Sequence, residues 1–348
     1  MRRGLMGWSE ADLPLACLKE RISRLQARLA AKGLGGLVAY TNIARPAAVT
    51  FLTGFTPYWS EGLLFVPVSG EPVFATALSK RVSEWIRSVM PVGSIENTPQ
   101  PAAFIGRRLA ETGVGKVGVL ELEMFPAAQA EMLMGSHGAV ALEDATGLFR
   151  AVRLIVDPAE LVLVRRADDL ARQCLENIDG SHDARRIVAA IESRARLAGA
   201  EESFIGVAPD LAHAGVFLRS DRLGVCGDHV AVRLSLSLKG SWVRRMLSLA
   251  AKAADRAAFA AAQSVFERAL GTGSAVAALR QLRDGFPGKI VGWTLESCVG
   301  SYPLEVVASS SAGGAVSDNL PVSILSVQAK INGVGWFGAG PVLAPGGS

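Results

Sequence analysis

The run VAVRLSLSL at residues 230–238 is the feature that most constrains the fold of this chain. Its apolar residues are typical of a central strand, whose alternating side chains are buried in a sheet. Arg233 interrupts the run, and a guanidinium buried at that point needs an anionic or hydrogen-bonding partner. The segment therefore predicts a buried strand that carries one unusual charge.

The composition is that of a folded protein. The chain has 348 residues, of which 50% are hydrophobic and 20% are charged, so it is long enough for about two domains and too apolar for disorder. The excess of 36 Lys and Arg over 32 Asp and Glu gives a net charge of +4, spread along the chain. Because no basic run marks a nucleic-acid arm or a membrane-surface patch, we expect no nucleic acid and no membrane among the partners.

The cysteines and the N-terminal segment indicate the compartment. The four cysteines have no spacing typical of zinc ligands and indicate a reducing environment: Cys17, Cys174, Cys226 and Cys298. The first 22 residues contain no uninterrupted apolar segment before a cleavage site, and nowhere do 18 apolar residues run together. We expect a cytoplasmic protein.

The first 150 residues alternate between helix and strand patterns, which predicts a smaller α/β domain over residues 1–150. The stretch AAVTFLTGF is a β-prone run that ends in a turn, and GLLFVPVSGEPVFA predicts a hairpin around Ser69-Gly70-Glu71-Pro72. Periodicity predicts these further elements: helices at 18–32, 80–89 and 102–112, and strands at GLVAY and 117–120.

The pattern of helix and strand signals changes after residue 150, and residues 151–348 are predicted to form the second domain. Asp157-Pro158 marks a helix start, and an Ala-rich helix from Ser248 ends at Gly271, with Ser274 capping the next helix. The remaining elements are predicted as helices over 158–178 and 184–198, and strands within 203–238 and the last 60 residues.

Several strings in this order resemble the creatinase, prolidase and aminopeptidase P family. They are FLTGF, the DPAE helix start, SDRLGVCGDHVAVRLSLSLKGSW and GTGSAVAALR. The resemblance covers nearly the whole chain. It implies an α/β (α+β) fold, with a creatinase-like N-terminal domain followed by a pita-bread domain.

The resemblance also implies where a metal site would lie. In that family two Asp, one His and two Glu hold two metal ions. When this pattern is carried over position by position, the two aspartates fall on Arg233 and Arg244. The metal-binding histidine falls near Ser297, and the two glutamates fall at Gln328 and near Ala339. A second histidine falls at Leu304, and the creatinase-type histidine falls near Val216. Because guanidinium groups stay protonated, we expect no metal and no other cofactor at this position.

The remaining polar residues near that position are the candidate ligand-binding set: Arg233, Arg244, Glu305, Ser297, Tyr302 and Gln328, with Lys330 as a possible neighbour. No catalytic residue is assigned. A shifted alignment would make His213 the family histidine, although a loop histidine is the simpler interpretation, and His229 is interpreted as strand-edge packing. The glycine-rich strings lack the spacing of a phosphate-binding loop.

Two classes of function remain open. The first is a degenerate family member that acts as a non-catalytic binding protein or as a silent subunit, in a homodimer or in a heteromer with an active paralogue. The second is a metal-independent, creatinase-like hydrolase of a small anionic or guanidino C–N substrate. A small carboxylate is the expected ligand of Arg233 and Arg244, unless Glu305 pairs with an arginine and neutralises the site.

Overall fold

The computed structural model describes residues 7–57, 61–111, 113–135, 140–178, 183–218, 224–297, 304–311, 316–318 and 320–344. These residues divide into two units, with the boundary between Ala159 and Glu160. Each unit is built on its own sheet. Among the described residues, no helix is both long enough and apolar enough to cross a membrane.

The N-terminal unit contains a six-stranded mixed sheet in the order β4-β3-β2-β1-β5-β6. The strands are β1 Gly36–Thr41, β2 Gly62–Pro67, β3 Val73–Thr76, β4 Ser94–Asn97, β5 Lys116–Val119 and β6 Ala141–Asp144. The helices are α1 Leu15–Ala31, α2 Ala47–Thr53, α3 Lys80–Val89, α4 Pro101–Glu111, α5 Ala127–Met134 and α6 Thr146–Arg153. Two clusters of buried apolar side chains form its core. The predicted β2–β3 hairpin and the α/β class are confirmed.

The AAVTFLTGF stretch is helical, and its interpretation as a β-prone run was wrong. Helix α2 ends at Gly54, whose φ of 74° is readily adopted by glycine. The Phe51 ring contacts two guanidinium groups, with Arg21 Cζ at 4.4 Å and Arg153 Cζ at 4.5 Å from the ring centroid. Arg21 also donates to Asp157 Oδ2 at 2.7 Å. Tertiary packing of this kind outweighs the β preference of Val, Thr and Phe.

The C-terminal unit contains a seven-stranded antiparallel sheet in the order β11-β10-β12-β13-β9-β8-β7. The strands are β7 Glu202–Ala208, β8 His229–Leu238, β9 Ser241–Ala250, β10 Lys289–Ser297, β11 Glu305–Ser309, β12 Val322–Ile331 and β13 Val334–Leu343. The helices are α7 Pro158–Leu175, α8 Ala184–Leu197, α9 Ala253–Leu270 and α10 Ala275–Gly285. Helix α9 begins five residues later than predicted because Ser248 belongs to β9.

Two tight hairpins fix the register of the central strands. Lys239 and Gly240 join β8 to β9 with φ of 51° and 78°, and Asn332 and Gly333 join β12 to β13 with φ of 52° and 82°. Positive φ at both central residues matches a type I′ turn, whose twist suits a two-residue hairpin. Register matters here because a one-residue slip would move every side chain of a strand to the other face.

The seven-stranded sheet has two distinct faces. Trp336 of β13 packs on Phe266 of α9 with ring centroids 5.8 Å apart, and Arg245 of β9 forms ion pairs with residues of α7 and α9. We call this side the helix face. Because neighbouring residues of a strand point to opposite sides, Arg244 lies on the other side, which we call the arginine face.

Glu201 is buried beside the β8–β9 turn. Its Oε1 accepts a hydrogen bond from the Lys239 N–H at 2.9 Å, whereas Oε2 has no hydrogen-bond partner in the described part of the chain. Burial raises the pKa of Glu201 from 4.5 to about 7, and the hydrogen bond from Lys239 only partly opposes this rise. The folded chain therefore favours the protonated carboxyl.

We expect Glu201→Gln to stabilise the protein in a pH-dependent way. The pKa of Glu201 is about 7 in the folded chain and 4.5 in the unfolded chain. The free energy of unfolding is therefore unaffected by this group below about pH 4.5, and it falls as the pH rises through about 7. Glutamine retains the acceptor for Lys239 without the charge, so the gain in unfolding free energy should be about 3 kcal/mol near pH 8.5 and under about 1 kcal/mol at pH 5. Urea unfolding at both pH values measures this gain in unfolding free energy, with the exposed Glu192→Gln as the control. An equal gain at both pH values would contradict the raised pKa of Glu201.

Candidate functional site

Arg233 and Arg244 lie on the same face of the sheet, on neighbouring strands. Across the β8–β9 pair, Arg233 is opposite Met246 and Ser235 is opposite Arg244. Directly opposed residues share a face, and residues two apart on one strand share it as well. Arg233 and Arg244 are therefore on the same face of the sheet.

Register extends this face from β8 to β10 in two adjacent rows. The first row runs from Arg233 through Met246 of β9, Ala339 of β13 and Ser326 of β12 to Thr294 of β10. The second row, two residues along, contains Ser235 opposite Arg244 and Ile324 opposite Glu296. Glu296 thereby reaches the arginine face from the far side of the sheet.

Arg244 and Glu296 form an ion pair across this face. Arg244 Nη1 donates to Glu296 Oε2, and Arg244 Nε donates to Ser235 Oγ at 2.9 Å. The Glu296 side chain is only 6% exposed. Burial raises the pKa of Glu296, while the charges of Arg244 and Arg233 oppose that rise. The carboxylate is thus held by one guanidinium and lies within the field of the other.

Arg233 is half-buried and lies over an aromatic ring. Its Cζ is 4.9 Å from the centroid of Phe217, and Phe217 contacts Phe337 edge-on with centroids 5.1 Å apart. A side chain at Gly215 would come within 2.9 Å of the Phe337 ring, so only glycine allows this loop to approach β13 so closely. The loop therefore places an aromatic surface beneath the Arg233 guanidinium.

Ser297 and Glu305 lie on the opposite side from Glu296. Ser297 follows Glu296 directly in β10 and is opposite Ser323 of β12 and Glu305 of β11. Strand alternation therefore turns Ser297 and Glu305 away from the arginine face. The carboxylate that pairs with Arg244 is Glu296 and not Glu305.

The other candidates are more dispersed. Gln328 shares the arginine face but is exposed, two residues beyond Ser326, and Lys330 lies further along β12 opposite Lys289. Tyr302 lies outside the described residues. His213 is 84% exposed and its Nδ1 is 2.7 Å from Asp210 Oδ2, whereas buried His229 is 2.9 Å from Asp255 Oδ2 through Nε2.

Glu296 is the site residue that sequence reasoning missed. It lies in WTLES, where the apolar residues Trp293 and Leu295 alternate with the polar residues Thr294 and Glu296. The carry-over placed the family histidine at Ser297, one residue away, and a one-residue offset exchanges the two faces of a strand. The alternation of polar and apolar residues in this strand was the signal that could have found Glu296.

On the helix face, Arg245 is the centre of a buried charge network. It contacts both carboxylate oxygens of Asp168 at 2.5 and 2.7 Å, and its Nη1 contacts Glu267 at 2.7 and 2.9 Å. Burial alone would lower the pKa of Arg245, but the hydrogen bonds and charges of Asp168 and Glu267 raise it. Arg244 and Arg245 are adjacent in β9, but Arg244 pairs with Glu296 on the arginine face and Arg245 pairs with Asp168 and Glu267 on the helix face.

The arginine face does not fit a pair of divalent cations. Its two guanidinium groups, Arg233 and Arg244, carry fixed positive charge, and the carboxylate of Glu296 is already ion-paired with Arg244. Hard divalent cations need several oxygen ligands, and fixed positive charge at the same place opposes their binding. Over the described residues, no three His, Cys, Asp or Glu side chains are grouped so that they could hold a metal ion.

Comparisons with known proteins support the fold. The model of the creatinase/prolidase N-terminal domain matches residues 21–155. Xaa-Pro dipeptidase from Bacillus anthracis is similar with a TM-score of 0.67 and 16% identity, over 94% of this chain and 95% of that chain. Prolidase from Thermococcus sibiricus is similar with a TM-score of 0.65 and 16% identity, over 94% of each chain. X-Pro aminopeptidase from Thermotoga maritima is similar with a TM-score of 0.66 and 13% identity, over 91% of this chain and 96% of that chain.

No curated protein sequence matches the chain. The family resemblance drawn from the sequence is nevertheless confirmed by the N-terminal match and by structural similarity along nearly the whole chain. The described strands of the C-terminal unit form the antiparallel sheet expected of the pita-bread fold. The chain carries a creatinase/prolidase N-terminal domain and has the fold of prolidases and X-Pro aminopeptidases.

Proposed function

We propose that the chain is a degenerate member of the creatinase and Xaa-Pro peptidase family that binds a ligand or a partner and does not hydrolyse peptides. The observation that carries this proposal is the Arg244–Glu296 ion pair, which spans the sheet where the resemblance places the metal ligands. Arg233 adds a second guanidinium to the same face. Two fixed cations replace the carboxylates that a dinuclear centre needs.

A metal-independent hydrolase is the alternative, and the contacts of Glu296 disfavour it. A general base must be able to reach a substrate proton, and histidine or a carboxylate usually performs this task. Glu296 is engaged by Arg244, and Val216, at the position of the creatinase-type histidine, is 60% exposed and has no titratable group. A binding role requires no such base.

We further propose that the protein is cytoplasmic and works as a homodimer or as a silent subunit beside an active paralogue. The free thiols of Cys17, Cys174 and Cys226 suit a reducing compartment. A stable symmetric interface would bury well over about 1,000 Å². Such an assembly would give a chain without chemistry a reason to retain both domains.

The experiment is an assay of Xaa-Pro dipeptide hydrolysis, with and without added Mn²⁺. We expect no hydrolysis that depends on Mn²⁺ or disappears on chelation, since neither arginine can hold a metal ion. A prolidase assayed beside it is the positive control. Chelator-sensitive turnover would refute the non-catalytic role, and sedimentation of the same preparation as a monomer, alone and with any co-encoded paralogue, would refute the assembly.

A further inference from the structure

We propose that a groove on the helix face binds a medium-chain carboxylate, with its apolar tail on β8 and β9 and its carboxylate at Arg256. The groove has a volume of about 520 Å³, which is the size of a small-molecule site. It lies within the C-terminal unit and on the side of the sheet away from the arginine face, so the inference goes beyond the proposed function. Its apolar wall is formed by Ile178, Val230, Leu247, Leu249, Phe259 and Ala260.

Strand alternation explains the apolar floor of the groove. Leu247 and Leu249 lie two and four residues after Arg245 in β9, so all three side chains point to the helix face. Val230 of β8 is opposite Leu249 and shares that face. Val230 is buried, whereas Leu247 and Leu249 remain half-buried. Two leucines of a central strand are therefore only partly covered by the protein itself.

The flanking helices leave this floor open. Helix α7 ends at Leu175, Asn177 adopts a φ of 53°, and Ile178 then lines one side of the groove. Helix α9 lines the other side, where Phe259 is buried but the exposed Ala260 contributes only a methyl group. Removing apolar surface from water is favourable, so a hydrocarbon tail that covers the two leucines would be stabilised here.

Arg256 of α9 supplies the polar end of the groove. Its Nε donates to the carbonyl of Ala250 at 3.3 Å, and its Nη2 donates to the carbonyl of Ala251 at 2.6 Å. Both alanines also line the groove, so these bonds hold the guanidinium at its edge. A guanidinium has five N–H donors, which leaves donors for a ligand, and its planar fork matches the two oxygens of a carboxylate.

The neighbouring carboxylates are engaged with other groups. Asp228, which also lines the groove, forms an ion pair with Lys252 at 3.1 Å, and Asp255 Oδ2 is 2.9 Å from His229 Nε2. Over the described residues, no carboxylate forms an ion pair with Arg256. Charge complementarity at Arg256 therefore favours an anionic end group, while the two nearby aspartates disfavour a dianion such as a phosphate.

The test is titration calorimetry of the full chain with octanoate, below the concentration at which it forms micelles. Acetate lacks the tail, 1-octanol lacks the charge, octylammonium reverses it, and octyl phosphate carries a dianionic head. We expect octanoate to bind at least about 10-fold more tightly than each of these compounds. Equal affinity for 1-octanol or octylammonium would overturn the role of Arg256, and tighter binding of octyl phosphate would overturn the carboxylate assignment.

Matched variants on α9 locate the site. Ala260→Trp fills the groove and should weaken octanoate binding at least about 10-fold, whereas Ala261→Trp, exposed and outside the groove, should leave the Kd unchanged. Arg256→Gln should also weaken binding about 10-fold, with the exposed Arg268→Gln as its control. Ala260→Trp decides even if Arg256→Gln disturbs the start of α9, and an unchanged Kd in Ala260→Trp would overturn the proposal.

A second copy of the chain is the rival occupant of the groove. Sedimentation of the parent and of Ala260→Trp distinguishes the two, and we expect the same oligomeric state in both. A parent dimer that Ala260→Trp dissociates would make the groove a contact between copies and would overturn the proposal. Because the groove and the arginine face lie on opposite sides of the sheet, Xaa-Pro hydrolysis tests the proposed function alone, and octanoate binding tests this inference alone.

Discussion

Replacing Arg245 with methionine should lower the free energy of unfolding by about 3–5 kcal/mol, the largest effect we expect from a single substitution. Arg245 is 3% exposed and is held by Asp168, which is 5% exposed, and by Glu267. Methionine fills part of the volume but leaves Asp168 without its buried cation. Arg172 also contacts Asp168, at 3.0 Å, but its side chain is 52% exposed and compensates only in part.

Urea unfolding of Arg245→Met measures this loss. Arg283→Met, on the exposed surface of α10, is the matched control and should change stability by less than about 0.5 kcal/mol. Adding Asp168→Leu to Arg245→Met should recover part of the loss, because it removes the stranded carboxylate. A loss below about 1 kcal/mol in Arg245→Met would show that the network does not stabilise the packing of α7 and α9 on β9.

The second large effect should come from Arg244→Met, with a loss of about 3 kcal/mol. Glu296 is 6% exposed, and the substitution removes the guanidinium that holds it. Because Arg244 itself is 18% exposed, water can relieve part of the penalty, which places the loss at the lower end of the range. The free energy of unfolding at neutral pH is the quantity to measure.

A double-mutant cycle separates this pair from general packing effects. Arg244→Met combined with Glu296→Leu should be more stable than Arg244→Met alone, since replacing both members of a buried pair is often nearly neutral. Glu296→Leu alone strands Arg244 and should also destabilise the protein. Purely additive losses would contradict the ion pair and would weaken the account of this face.

Much of the fold could be predicted from local pattern. The β2–β3 hairpin has turn residues between two apolar runs, and helix α3 follows a clear helical periodicity. Helix α2 could not be predicted in the same way. Its residues favour a strand locally, and its helical conformation is accompanied by long-range contacts, among them those of Phe51 with Arg21 and Arg153.

The candidate site was partly accessible to sequence reasoning. The family resemblance placed Arg233 and Arg244 near one position, and the register of β8 and β9 puts both on one face. The partner of Arg244 could not be predicted, because Glu296 is 52 residues away and its face depends on the register of β10. The same holds for Arg245 and Asp168, which are 77 residues apart. Sequence spacing carries no information about which carboxylate meets which arginine across a sheet.

We propose that Arg233 and Arg244 stand at the positions that hold metal ligands in the family. Metal retention after equilibration with Mn²⁺ and dialysis tests it most directly, with a prolidase treated in the same way as the control. The account predicts metal at background level in the parent chain, because Arg233 and Arg244 place fixed positive charge on this face and Glu296 is already ion-paired. Retention of about two Mn²⁺ per chain, as in a dinuclear site, would contradict it.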